Sequence, residues 1–295
     1  MTQLAIQLLT AVALFACSML PMGAAAAGNA SPDTLSIGLF PRRDPAITMR
    51  LFRPLGNVLE ESLEMSVSLE TSPDFETFER RLQERRYDLV HLNQYHYVKA
   101  HDKLRYDVLV QNEEFGEPRI RGAVYVRRDS GITDLRQLKG RTVLFGGGAQ
   151  AMMSYIVPSY LLRRAGLRPG DYRERFASSP PNAVLATYLG QADAGGAGEV
   201  VIRLPLVTGK IDPAEMLILA RSEDMAHLPW AVKREMPAPL RQRIRRVLLD
   251  LGQSPRGREV LSAARLTAFN AAKDADYDLH RSIIDQVEES APGGE

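Results

Sequence analysis

The chain alternates between two hydrophobic periods. Leu35-Ser-Ile-Gly-Leu-Phe40 has the every-second-residue pattern of a strand ended by Pro41. Ile47 to Leu63 places Met49, Phe52, Leu55, Leu59 and Leu63 at helical spacing. Met65 to Leu69 alternates again, and Asp74 is a good cap for a helix running to about Arg86. Tyr87-Asp-Leu-Val-His-Leu92 predicts a third strand that passes into a polar and aromatic turn. Strand, helix, strand, helix, strand in that order predicts a parallel sheet with right-handed crossovers. Strands over 105–111 and 122–127 follow, separated by an acidic loop.

A second α/β run starts at Asp134-Leu-Arg-Gln-Leu-Lys-Gly140, a short helix closed by its glycine. Thr142 to Pro158 then predicts a buried strand, a triple-glycine turn and the start of a helix. Glycines at 146–148 let backbone come close to a bound group, and the first NH groups of the next helix have no internal acceptor. That combination suits an anion. The spacing is not the dinucleotide fingerprint and no Gly-Lys-Ser/Thr follows, so nucleotide binding is disfavoured. Pro158 predicts a kink. Further on, Tyr172 to Ala177 and Ala192 to Glu199 predict strands around a helix over 181–190, Met216 to Ala220 is a strand, and 237–251, 254–264 and 276–289 are helical. The expected fold is therefore α/β, with two Rossmann-like lobes, a hinge and an interlobe cleft. Lobe 1 is expected over 28–120 with 222–295, and lobe 2 over 121–221.

The N-terminus changes the compartment. Leu4 to Leu20 is an apolar run too short to span convincingly, and Ala24 to Ala27 supplies small residues for cleavage. Residues 1–27 are therefore expected to be a signal peptide, although its n-region has no Lys or Arg. Cys17 is the single cysteine; it is expected to leave with that segment, the alternative being lipidation at Cys17. The mature chain would then have no thiol chemistry and would lie in the periplasm. Lys and Arg number 37 against 36 Asp and Glu, and the arginine pairs are scattered, which argues against nucleic acid as a partner.

Taken together, Ile37-Gly-Leu-Phe-Pro41, Asp88-Leu-Val-His-Leu-Asn-Gln-Tyr-His-Tyr97, Asp134 to Phe145, Tyr155-Ile-Val-Pro158 and Asp193-Ala-Gly195 resemble the periplasmic phosphonate/phosphite-binding proteins of ABC transporters, which have the type II periplasmic binding fold. The resemblance spans nearly the whole mature chain. It implies a monomeric solute receptor with no cofactor, delivering a phosphonate-like oxyanion or a less polar solute to an inner-membrane permease. A sensor or accessory protein read by a signalling partner such as a sensor kinase is the alternative. It also implies site residues at Phe75, Asn93, Tyr97, Gln150, Ala151, Met152, Met153, Ser154, Ser179 and Glu199.

At several of these positions the chain departs from the family pattern. Where the family has Ser-Thr-Ser-Gly at the helix start, this chain has Ala151-Met152-Met153-Ser154. Phe75 stands for a tyrosine and Ser179 for a histidine. Leu228 stands where a polar residue often precedes the proline. Charge-assisted hydrogen bonds contribute roughly 1.5–3 kcal/mol each, so losing three hydroxyls would weaken phosphonate binding by orders of magnitude. The expected pocket is less polar, with Gln150, Ser154, Ser179, Asn93 and Glu199 left to hydrogen-bond. Met152 and Met153 would either line it or belong to the core. Tyr97 is expected to face the cleft while Tyr95 packs. Glu199 is either a cleft acceptor or an ordinary helix-start carboxylate, and Arg42 is a candidate for an anion. His91, His96 and His101 have poor spacing for a metal, and no catalytic constellation emerges, so an enzyme is the weakest class.

Overall fold

The computed structural model describes residues 34–289. The processing segment at 1–27 and Cys17 lie outside them. Two sheets organise the described chain. The first is built from β1 (Thr34–Leu39), β2 (Ser66–Thr71), β3 (Leu89–His91), β4 (Tyr106–Glu113), β12 (Pro229–Lys233) and β13 (Ala268–Ala271) in the order β13-β4-β12-β3-β1-β2. β2, β1 and β3 are mutually parallel, so Thr71, Leu39 and His91 end on one edge. β12 runs antiparallel to both β3 and β4, and β13 antiparallel to β4, so the sheet is mixed rather than parallel throughout.

The second sheet contains β6 (Gly122–Arg127), β7 (Thr142–Gly146), β8 (Arg173–Ala177), β9 (Ala194–Gly198) and β10 (Met216–Arg221), in the order β10-β6-β9-β7-β8. β7, β8 and β9 are parallel, which brings Gly146, Ala177 and Gly198 to one edge. A two-stranded ribbon of β5 (Arg119–Ile120) and β11 (Met225–Ala226) connects the two sheets, pairing Ile120 with Met225 and Arg119 with Ala226.

Helices cover the sheets for the reasons their sequences supply. α1 (Pro45–Leu63) is capped by Asp44, starts with a proline, and buries Phe52, Leu55, Leu59 and Leu63 on one stripe. α2 (Phe75–Gln83) is capped by Asp74, whose Oδ1 accepts from the Thr77 NH at 2.7 Å. α3 (Gln94–Leu104) begins where a turn was expected. Asn93 caps it by accepting from the His96 NH at 2.8 Å, so Tyr95 and Tyr97 sit on a helix, two residues apart. α4 (Val157–Arg164) and α5 (Pro180–Tyr188) flank the second sheet, and the short α6 (Pro205–Thr208) precedes β10. α7 (Ala238–Asp250) and α8 (Pro255–Ala263) return to the side of the first sheet, and α9 (Asp278–Glu288) packs against both α3 and α4. The helix leading into Pro158 opens as a π turn over Met152–Ile156 and runs on without a break into α4, so Pro158, which has no NH to donate, stands where the π turn passes into the α-helix.

β9 is packed on both faces with no side chain larger than a methyl group. A Cβ on Gly195 would come 2.5 Å from Thr187 Oγ1 of α5. One on Gly196 would come 2.6 Å from Phe145 Cδ1 and 2.7 Å from the Ser154 carbonyl of the π turn. Gly196→Ala is therefore expected to destabilise the protein by about 1–3 kcal/mol, because a backbone carbonyl cannot rotate away. Gly148→Ala, where nothing lies within 4 Å, should stay within about 0.5 kcal/mol of wild type in the same urea titration. Equal effects of the two substitutions would contradict this packing.

Candidate functional site

The carboxyl edges of the two sheets meet at Gln150. β7 ends at Gly146, Gly147 takes a left-handed φ of 93°, and Gln150 is carried out of the second sheet on the turn that follows. Its carbonyl accepts from Asn93 Nδ2 at 3.1 Å, its Oε1 lies 3.2 Å from His96 Nε2, and its Nε2 donates to Glu79 Oε2 at 3.2 Å. Asn93 and His96 belong to the start of α3 and Glu79 to α2, so one side chain spans both sheets. Phe75 completes the wall: it stacks on His96 with centroids 5.5 Å apart and planes 11° apart, and lies 6.2 Å from Phe40.

Around Gln150 the backbone is rich in free donors. The Ala151 NH closes the turn onto the Gly148 carbonyl, and the Ala151 carbonyl then accepts from Ser154, Tyr155 and Ile156. Among the described residues, the NH groups of Gly148, Ala149, Gln150, Met152 and Met153 meet no protein acceptor. That arrangement suits an oxyanion, since the donors are at a helix start and need no side chain.

Burial lowers the His96 pKa to about 4, against a smaller opposite pull from Glu79, so the ring is neutral at pH 7. It faces two oxygens, Asn93 Oδ1 at 2.7 Å and Gln150 Oε1 at 3.2 Å, and a neutral imidazole donates to only one of them. A protonated ring satisfies both, so an anion bound nearby would raise this pKa.

The remaining expected residues divide between the site and the framework. Ala151 lies at the cradle. Met152 and Met153 are 1 % and 8 % exposed and belong to the core, the second of the two alternatives left open by the sequence; the apolar wall is Phe75 and Phe40. Ser154 is buried with its carbonyl against Gly196. Ser179 caps α5, accepting from the Asn182 NH at 3.4 Å. Tyr97 is fully buried, donates to Asp274 at 2.7 Å and packs on Tyr277, so it braces α3 against α9 and does not join the Gln150 cluster. Glu199 is held by Arg121 at 3.0 Å and Arg221 at 2.9 Å beside the connecting ribbon, which makes it a framework carboxylate.

Arg42 is likewise taken: its guanidinium grips Glu114 at 2.6 Å. Burial pushes Glu114 up, but Arg42 overcomes it and brings the carboxyl down to about 2. The three histidines considered for a metal part company. His91 stacks on Trp230 with centroids 4.6 Å apart, His96 joins the site, and His101 Nδ1 lies 2.9 Å from the Tyr106 carbonyl. Glu79, His96 and Phe40 were not among the expected binding residues. The signal for His96 is its place three residues after the Asn93 cap; Glu79 and Phe40 have no local signal.

A family model described as the periplasmic substrate-binding protein of ABC phosphonate transporters matches residues 37–277, and the chain belongs to this family. Its members bind small solutes, work with a membrane permease and are not enzymes. Among solved structures, XAC2383 from Xanthomonas citri, bound to chloride, is similar at 20 % identity over 88 % of this chain and 100 % of that one, with a TM-score of 0.78. PhnD1 from Prochlorococcus marinus in complex with methylphosphonate is similar at 15 % identity, 88 % and 99 % coverage, and TM-score 0.75. The aliphatic sulphonate binding protein SsuA from Escherichia coli follows at 18 % identity, 88 % of each chain, and TM-score 0.57. At these identities the structural likeness speaks for the fold, which is that of type II periplasmic binding proteins.

The buried histidines set a pH dependence. Burial holds His96 and His227 at about 4, His280 at about 3 and His91 well below its ordinary 6.5. A depressed folded pKa means that the unfolded chain binds the proton first. The associated stability is complete above about pH 6.5 and falls as the pH drops from there toward about 4, at up to about 1.4 kcal/mol per unit for each ring. Urea midpoints should fall between about pH 7.5 and pH 5, and His96→Gln should flatten the slope. A midpoint independent of pH over that range would mean that the rings are not held neutral.

Proposed function

We propose that this chain is the exported solute receptor of an ABC importer and that its solute is a small oxyanion with an apolar substituent. The bridging of the two carboxyl edges at Gln150, among free backbone donors, is the observation that carries the reading. The backbone NH groups of Gly148, Ala149, Gln150, Met152 and Met153 would hold the oxyanion, Asn93, His96 and Gln150 would complete its hydrogen bonds, and Phe75 with Phe40 would receive the apolar part. The two sheets would act as lobes hinged at the β5–β11 ribbon. Solute touching both would favour closure, because a ligand shifts an equilibrium only by binding one state better. Residues 1–27 would direct export, and the closed form would present itself to the permease as a monomer. Solutes named for similar folds, methylphosphonate for PhnD1 and aliphatic sulphonates for SsuA, share a tetrahedral oxyanion and agree with this choice.

What the site lacks is a set of hydroxyl donors. Ala151, Met152 and Met153 offer none, and lost donors at roughly 1–2 kcal/mol each remove most of the affinity of a tight phosphonate site. By calorimetry, methylphosphonate should bind with a Kd on the order of 0.1 mM or weaker. Longer alkyl phosphonates or sulphonates should bind more tightly, and Phe75→Ala should erase that gain. Micromolar binding of methylphosphonate would overturn the donor argument, and no binding of any oxyanion in the series would overturn the proposed solute class.

A further inference from the structure

A second concave surface lies away from Gln150, where α1 meets α8. α1 and α8 form an open groove of about 720 Å3, floored by Leu51, Pro255 and Ala263 and edged by Arg50, Arg258 and Arg265. The same two helices pair charge where they can: Arg256 of α8 meets Glu61 of α1 at 2.8 Å. In the groove they do not. Among the described residues, Arg50 and Arg265 have no carboxylate partner, and Arg258 donates only to the Gly252 carbonyl, at 3.1 Å. Arg43 stands close by, also without a carboxylate bound to it. Burial and the charges of Arg42 and Arg265, against an opposite pull from Glu114, lower its pKa to about 10, which leaves it charged at pH 7. Glu259 is the one acid in the lining.

The Arg265 charge already acts unfavourably on Arg43, and each guanidinium without a carboxylate offers a planar fork of donors that matches one in two-point fashion. We infer that this groove docks an acidic segment of a partner protein. A small anion is the poorer fit, because an open groove leaves it in water, where exposed ion pairs are weak and screened. An extended chain bearing several carboxylates engages the arginines together, lays its backbone on the apolar floor, and is steered in by the local field. The surface is separate from the Gln150 site and does not depend on what solute that site takes.

The test uses the mature protein and a fluorescent oligoglutamate peptide, followed by anisotropy at low salt. The peptide should bind, oligoglutamine should not, and added salt should weaken the complex. Arg50→Gln combined with Arg265→Gln should weaken it about tenfold or more while leaving the thermal midpoint unchanged. Arg168→Gln with Arg175→Gln removes the same charge from the other lobe and should leave the affinity as it was. Absence of binding, or equal losses from the two double variants, would overturn the proposal. So would tripolyphosphate displacing the peptide at equal or lower concentration, which would mark a small-anion site, or stronger binding to phosphatidylglycerol vesicles, which would mark a membrane surface.

Discussion

Strand β9 reads Ala-Gly-Gly-Ala-Gly and carries nothing larger than a methyl group, and the geometry of the site depends on this bareness. Gly195 lets α5 settle onto one face, and Gly196 lets the Ser154 carbonyl of the π turn settle onto the other. Gly122 on the adjoining β6 does the same for the Met153 carbonyl, which a Cβ there would approach to 3.0 Å. With its backbone pressed to the sheet on two sides, the π turn has little freedom. Gly146 fixes the other flank, since a Cβ there would fall 2.3 Å from the Cα of Pro180. The turn over 147–151 is thus aimed from both ends, and Gln150 leaves the sheet edge in the direction of α3. Close packing of this kind resists continuous deformation, so the donors are preorganised rather than recruited.

Electrostatics on the facing edge work by cancellation. Arg42 after β1 would be a strong anion trap if it were free, but Glu114 neutralises it in a buried pair. The histidines of this edge are uncharged at pH 7. What faces Gln150 is therefore a set of dipoles, Asn93 and a neutral His96, with one carboxylate, Glu79, and the flat surface of Phe75. Such an edge cannot attract a multiply charged anion by field alone. Recognition has to come from directed donors supplied by the other lobe.

Local order in the sequence made much of the fold legible. β1, α1, α2, β6 and β10 fall where the hydrophobic period changes, and Asp44, Asp74 and Ser254 cap the helices that follow them. What was missed depended on distant partners. Asn93 is as good a cap as Asp74, yet the aromatic residues after it continue the period of the strand before it, so α3 looked like a turn. β12 is central only because β3 and β4 enclose it, and neither neighbour is adjacent in the chain. The site divides in the same way. Gln150 and Asn93 were visible because the family resemblance covers the segments that carry them. Glu79 and Phe40 were not, because only the tertiary fold brings Glu79 to Gln150 and sets Phe40 beside Phe75.

The methionines show why residue identity at a cradle is a weaker guide than residue direction. Ala151-Met-Met153 looked like a greasy surface replacing a hydroxylated one. In the fold both thioether chains turn into the core beneath the π turn, where their flexible, unbranched shape fills the space above β6 and β9. The wall of the site does not become methionine; it simply loses hydroxyls, while the backbone donors stay. At this helix start the chain differs from the family pattern in the number and kind of donors it offers, not in an exposed apolar surface. On the solute reading proposed above, discrimination would pass to the groups gathered at Gln150: one amide that bridges the two edges, one imidazole that burial keeps neutral, and one aromatic face without a hydroxyl.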